Sequence, residues 1–319
     1  MKKIGVSAGS ACVLGLKHIA SDVAPTTAYL IVGDKCQKDC AFCSKARTAT
    51  SRADNLSRIT WPEFEAEDVL PRVVDAYEKG QIFRTCFQAT TSAGYLDELV
   101  GLVQQVGDKM PICVSVIPRD MSDIKRLIDA GAARVGLSLD AACERVYHEI
   151  KGGSWDKTLE MLRQAVGLYP GRITTHLIAG LGETEQEFAA AVQMLTDMGV
   201  KVAVFAFTPV RGTKMEKNSP PPIESYRRLQ TAYYLIVHNL SRAGRFTFDA
   251  AGSITGFGIP ANEISSQLSD GEAFRTSGCE GCNRPYYNER PGMVMYNYPR
   301  PLTPAEAQQA LDEALHGVD

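Results

Sequence analysis

From Thr27 onward, short runs of apolar and β-branched residues alternate with longer segments in which apolar residues return at helical spacing. The short runs, at 28–32, 84–88, 112–117, 134–139, 173–178, 202–208 and 246–250, have the length and composition of buried strands. Between them Trp155, Leu159, Leu162 and Val166 fall at i, i+4, i+7 and i+11, as do Leu229, Tyr233, Ile236 and Leu240, so each set marks one buried helical stripe. Gly80, Gly131 and Gly199 each close a helical run just before the next strand, where a left-handed residue ends a helix. Strand, right-handed crossover helix and parallel strand, repeated about six times, predict an α/β fold. It is an open doubly wound sheet or a full or partial (β/α) TIM-type barrel, and in both the chemistry belongs at the C-terminal ends of the strands.

No repeat of fixed period, low-complexity tract or long linker breaks this pattern. Residues 27–253 read as a barrel, residues 1–26 as an N-terminal extension and residues 254–319 as a C-terminal segment, both laid over it. The proline-rich stretch 218–222 is a stiff connector, and 299–304 leads into a last helix over 305–315. With 319 residues, 45% of them hydrophobic, the chain can bury a large core, which excludes disorder as its main state. Its 34 Lys and Arg against 37 Asp and Glu give a net charge of −3, so no general attraction draws it to nucleic acid or anionic lipid. The first residues resemble a secretory leader, but Lys17, His18 and Asp22 interrupt the apolar run. Nothing later approaches the ~20 apolar residues of a membrane span. A cytoplasmic protein without membrane or nucleic-acid partners is expected.

Nine cysteines are present, and they cluster. Cys36, Cys40 and Cys43 lie in one loop directly after the first barrel strand, and Cys279 and Cys282 form a pair near the C-terminus, while Cys12, Cys86, Cys113 and Cys143 stand alone. In a chain of this size such clustering favours metal or redox chemistry over a disulfide framework. Thiolates bind zinc or iron–sulfur clusters, and structural zinc takes four protein ligands. No fourth Cys or His stands at finger spacing. Three thiolates on a [4Fe–4S] cube leave one iron open to a small molecule.

Cys36-x3-Cys40-x2-Cys43 after the first strand, with Phe42 before the last cysteine, resembles the radical S-adenosylmethionine (SAM) superfamily. The resemblance implies a [4Fe–4S] cluster whose open iron is chelated by the methionine part of SAM. It further implies reductive cleavage of SAM to a 5′-deoxyadenosyl radical that takes hydrogen from an unactivated carbon. Phe42 and Gln88 are then cofactor-binding residues, Gln88 lying where the family holds the SAM amino group. Ser138 and Asp140, at the end of the strand Val135-Gly-Leu-Ser-Leu-Asp140, are placed to hydrogen-bond ribose, or Asp140 simply caps the next helix. Gly180 and Gly182 resemble the family's fifth-strand glycine motif, which lets backbone approach adenine, although glycines also mark any strand-to-helix turn.

The second pair lies in Arg275-Thr-Ser277-Gly-Cys279-Glu-Gly-Cys282-Asn-Arg-Pro, and a C-x2-C pair needs further ligands to close a metal site. Cys12, in a glycine-rich stretch outside the barrel, is the expected partner; otherwise it is a small buried residue. Cys12, Cys279 and Cys282 would hold an auxiliary [4Fe–4S] cluster able to give up sulfide, and Arg275-Thr-Ser277 resembles the C-terminal serine motif of the single-chain lipoyl synthases, which implies Ser277 as its fourth ligand. The segment is similar to that of the two-protein lipoyl synthases, which themselves resemble biotin synthase. That resemblance implies sulfur insertion at C6 or C8 of an octanoyl group on a carrier protein or lipoyl domain, a partner radical SAM subunit, and a reductant such as ferredoxin or flavodoxin. Biotin synthase is the competing likeness. Cys86 and Cys113 fall near strand positions where it holds its sulfur donor, but Thr175 or His176 stands at its third cysteine and its arginine has no counterpart in 247–251. Cys86 and Cys113 are therefore expected to pack in the barrel interior, and His176 to be a hydrogen-bonded strand residue. Two other readings make the C-terminal cluster an electron relay in a maturase or biotin-like enzyme, or make both cysteine sets structural zinc sites in a scaffold.

Overall fold

The computed structural model describes residues 2–18, 22–289 and 292–318; residues 19–21 of the expected N-terminal extension lie outside the described residues. The chain opens with β1 (Lys3–Val6) and α1 (Ala8–Val13), then enters the barrel at β2 (Thr27–Val32). A small hairpin, β3 (Asn55–Leu56) and β4 (Ile59–Thr60), and the short β5 (Glu63–Glu65) lead into α2 (Ala66–Glu78). Then come β6 (Arg84–Ala89) with α3 (Tyr95–Val106), β7 (Ile112–Val116) with α4 (Met121–Asp129), and β8 (Arg134–Leu137). After β8 a short α5 (Glu144–Val146) runs into a π-helical turn at Tyr147–Lys151 and then α6 (Trp155–Leu168). The repeats end with β9 (Ile173–Ala179) and α7 (Glu185–Asp197), then β10 (Lys201–Ala206) and α8 (Ile223–Val237).

Strands β2, β6, β7, β8, β9 and β10 pair in parallel, each with the next. β1 pairs antiparallel with both β2 and β5, so the eight-stranded sheet runs β10-β9-β8-β7-β6-β2-β1-β5. This is the expected α/β fold, a mostly parallel sheet with crossover helices, consistent with a partial TIM-type barrel. Along β9 the side chains alternate: Ile173, Leu177 and Ala179 are buried on the helix side, whereas Thr174, His176 and Ile178 line the lumen. On α6, Trp155, Leu159 and Leu162 form the predicted buried stripe, and Ser154 caps the helix by accepting from the Lys157 N–H. Gly80, Gly131 and Gly199 have φ of 68°, 108° and 81°, the left-handed endings read from sequence.

One expected strand is corrected. Residues 246–250 do not join the barrel sheet: β11 (Thr247–Phe248) pairs antiparallel with β12 (Ile254–Gly256) in a separate hairpin. The reason is local, since Asp249 Oδ1 accepts from both Ala251 N–H and Ser253 N–H at 2.8 Å and folds the chain back before it can cross over.

Past the hairpin come α9 (Ala261–Gln267) and the closing α10 (Pro304–Leu315), whose capping box pairs Thr303 with Glu306. Arg227, 1% exposed on α8, ties the C-terminal segment down through Glu313, Gln230 and the carbonyls of Met295 and Tyr296. Among the described residues no helix is long and apolar enough to cross a membrane.

Candidate active site

The loop after β2 carries Cys36, Cys40 and Cys43 at the C-terminal mouth of the barrel. It folds on itself: the Cys36 N–H donates to the Lys45 carbonyl, the Arg47 N–H to the Lys38 carbonyl, and Cys36 Sγ accepts from the Thr91 N–H at 3.3 Å. Asp39 accepts from Thr48 and pairs with Lys214 Nζ at 2.7 Å, pinning the loop to the segment after β10. The three thiols lie within electrostatic reach of one another. Burial, then the Asp140 carboxylate, pushes the Cys40 thiol up to about 12, and burial pushes Cys43 up to about 11. Without a bound cation these thiols rest protonated, and the three soft sulfur donors share one short loop. Its donors fit a cluster with one open iron.

Beneath the loop sits a buried ion cluster. Asp140 adopts φ of 66°, and its carboxylate lies 2.8 Å from Lys151 Nζ and 2.6 Å from His176 Nε2. Burial alone would raise its carboxyl, but Lys151 and His176 together hold it well below the ordinary carboxylate range. His176 is thus the hydrogen-bonded strand residue expected. Asp140 is 4% exposed, and neither it nor Ser138, whose Oγ faces the Val116 carbonyl, lines the lumen. Gly180 has φ of 96°, and a Cβ there would lie 2.9 Å from Pro221 Cδ; its N–H donates to Glu183. Its role in this conformation is to admit Pro221. Gly182, with φ of 120°, faces open space beside Val146.

Inside the barrel, a cavity of about 240 Å³ reaches from Phe42 and Cys43 at the upper mouth to Cys279 and Cys282 at the lower one. Gln88 lines it, and Leu56, Ile178, Phe205 and Phe207 give it apolar walls. Arg84, Arg134 and Lys201 begin β6, β8 and β10, which places them at the N-terminal mouth. There Glu280, between the two C-terminal cysteines, pairs with Lys201, with Arg134 at 2.6 Å and with Arg84 at 4.0 Å. The C-x2-C loop therefore plugs the lower mouth. Glycine makes this fit possible: at Gly278, φ 108°, a Cβ would lie 2.8 Å from Ala203 Cβ, and at Gly281, φ 72°, 2.8 Å from Phe83.

The plug meets the cysteines that sequence reasoning left to packing. Cys113 Sγ lies 3.8 Å from Cys279 Sγ, Tyr29 Oη lies 3.0 Å from Cys282 Sγ, and Cys86 shares the cavity with them. The hydrogen bond from Cys113, then Arg134 and Arg84, bring Cys279 down to about 5 against the effect of burial. The same contact, together with burial, pushes the Cys113 thiol well up. Arg284, half-buried, stacks 4.1 Å from the Phe205 ring centroid and donates to the Ser277 carbonyl. Sequence reasoning missed it. The available signal was Arg84, Cys86 and Gln88 alternating on one strand, a polar inner face where a packed barrel core carries branched apolar residues.

Two sequence expectations are not met. Cys12 does not line the cavity with Cys279 and Cys282; its thiol donates to the Ala8 carbonyl within α1, which turns it away. Ser277 Oγ accepts from the Val204 N–H at 2.8 Å and serves the β10 edge. Among the described residues no three His, Cys, Asp or Glu side chains close on one point as for a single metal ion.

The fold and cysteine loop define a radical SAM protein, and comparison agrees: the Radical SAM superfamily model matches residues 30–195, and the chain belongs to that superfamily. It is similar to biotin synthases. It is 26% identical over 262 residues to biotin synthase of Acinetobacter baumannii strain AYE, covering 77% of this chain and 76% of that protein. With biotin synthase of Synechococcus sp. strain CC9605 it shares 30% over 227 residues, 66% and 65% of the two chains. With the mitochondrial enzyme of Emericella nidulans it shares 24% over 320 residues, 94% and 77%. Among solved structures, HydG, a maturase of the [FeFe]-hydrogenase, superposes with a TM-score of 0.55 at 14% identity over 66% of this chain. The chain spans about half of HydG, 50% of its length, and this likeness concerns the fold alone.

Proposed function

We propose that this radical SAM enzyme inserts sulfur into unactivated C–H bonds of a protein-bound octanoyl group, as one component of a two-protein lipoyl synthase. The observation that carries the proposal is the lumen, walled in part by apolar side chains, that joins the three-cysteine loop above to cysteines at the lower mouth. An acyl chain suits walls of Leu56, Ile178, Phe205 and Phe207. Cys36, Cys40 and Cys43 would hold the SAM cluster, and cysteines of the lower mouth a second, sulfide-donating one. When bound, the SAM cluster would supply the one-electron chemistry that abstracts hydrogen from carbon, and the second cluster would supply the sulfur, while the cysteines named here would hold them in place. The chain's own part is to hold the alkyl chain between the two mouths and exclude water from the radical. The octanoyl group would arrive on a carrier protein or lipoyl domain, with a partner radical SAM subunit handling the other carbon and ferredoxin or flavodoxin supplying electrons.

The similarity to biotin synthases favours a second reading, thiolation of a small free substrate. Incubation of anaerobically reconstituted protein with SAM, reductant and either an octanoyl-lysine peptide or dethiobiotin separates the two. Sulfur on the peptide, alone or with the partner subunit, supports lipoyl synthesis; sulfur only on dethiobiotin overturns it.

A further inference from the structure

Four thiols from three parts of the chain surround the lower cavity: Cys86 from β6, Cys113 from β7, and Cys279 and Cys282 from the plug. Four cations stand with them, Arg84, Arg134, Lys201 and Arg284, yet the carboxylate paired with this group among the described residues is Glu280 alone, shared by three of them. Arg84 Nη1 reaches Cys113 Sγ at 3.4 Å, and its Nε has no hydrogen-bond partner. These cations are half-buried round one cavity, where charge is ordinarily compensated, so the surplus of positive charge asks for an anion. Four soft donors set its chemistry. Thiolates spread round a volume rather than aimed at one point suit a polynuclear group in which each sulfur binds a different iron.

We infer that Cys86, Cys113, Cys279 and Cys282 together ligate a second iron–sulfur cluster at the N-terminal mouth of the barrel, with the Glu280-anchored plug as its cover. This deepens the sulfur-insertion reading by naming the donor's ligands and replaces Cys12 and Ser277 in that role. A four-thiolate cluster carries net negative charge, which the surrounding guanidinium and ammonium groups offset.

The test separates the two clusters. In a Cys36→Ala/Cys40→Ala/Cys43→Ala background, anaerobic reconstitution with iron and sulfide leaves about four iron per chain and a cluster absorption band. Adding Cys86→Ala, Cys113→Ala, Cys279→Ala or Cys282→Ala removes most of that iron, whereas adding Cys12→Ala does not. Alkylation mapping of the otherwise unaltered chain guards against misfolded variants: cluster loading protects these four thiols and leaves Cys12 unchanged. No iron in the triple variant, iron retained without Cys86 and Cys113, or iron lost with Cys12 each overturns the assignment. Iron held by all four cysteines with no sulfur transfer to any substrate would instead overturn the sulfur-insertion reading and leave this site standing.

Discussion

Cys113 and Cys279 lie 166 positions apart in the chain, and their sulfurs stand 3.8 Å apart at the foot of the barrel. That is far beyond the ~2.05 Å of a disulfide, so they meet as two free sulfurs within hydrogen-bonding distance. The contact brings a C-terminal loop into a barrel whose other reactive sulfurs occupy the opposite mouth. Two sulfur sets at two ends of one cavity can be disabled separately.

Cys40→Ala is accordingly expected to abolish 5′-deoxyadenosine formation. Cys282→Ala should leave SAM cleavage intact and stop thiolation. Deoxyadenosine and thiolated product are both read by mass analysis of one reaction. Normal sulfur insertion by Cys282→Ala would show that the plug has no part in sulfur transfer.

Glu280 should control access to the plug without governing global stability. Its side chain is 62% exposed, where ion pairs are each worth about 1 kcal/mol or less. Arg134 and Lys201 hold its carboxyl down to about 2 against the effect of burial, so the clamp persists through mildly acidic pH. Glu280→Gln should speed alkylation of Cys279 and Cys282 in cluster-free protein about tenfold while the melting temperature moves little. Unchanged alkylation would mean that the glycine contacts alone seat the loop.

Most of the barrel was legible because a parallel strand buried on both sides is a short branched apolar run and each helix repeats at its own period. The upper cysteines were legible because their spacing is local. Residues 246–250 were misread: Phe246, Thr247 and Phe248 look like a strand start, and the Asp249 turn that redirects them acts two to four residues later. Cys12 was misplaced because a glycine-rich stretch beside a strand says nothing of which face its helix turns inward. No local rule brings Cys279 beneath Cys113, since the pairings that do so run through Glu280 to the first residues of three strands.

The Asp140 cluster is structural as well as close to the upper loop. Asp140→Asn leaves Lys151, with 5% of its side chain exposed, without its counter-charge, and should lower the stability of cluster-free protein by about 3–5 kcal/mol. Asp140→Asn/Lys151→Met should recover much of the loss in chemical denaturation. If Asp140→Asn unfolds at the wild-type midpoint, the ion cluster contributes nothing to the fold.

Glu289 gives the chain a pH dependence of defined sign. Burial pushes its carboxyl up to about 7 from the ordinary value of 4.5, and the hydrogen bond from the Asn297 N–H only partly opposes this. Between those two values the folded chain holds a proton on Glu289 that the unfolded chain has released. Stability therefore falls as pH rises from about 4.5, and the loss is complete above about 7, amounting to about 3 kcal/mol. Glu289→Gln stays neutral throughout and keeps an acceptor for Asn297. The difference in unfolding free energy between wild type and variant, measured by denaturant titration from pH 5 to about pH 8, should grow in favour of the variant as pH rises. Parallel curves would mean that Glu289 is charged or solvated in the folded protein.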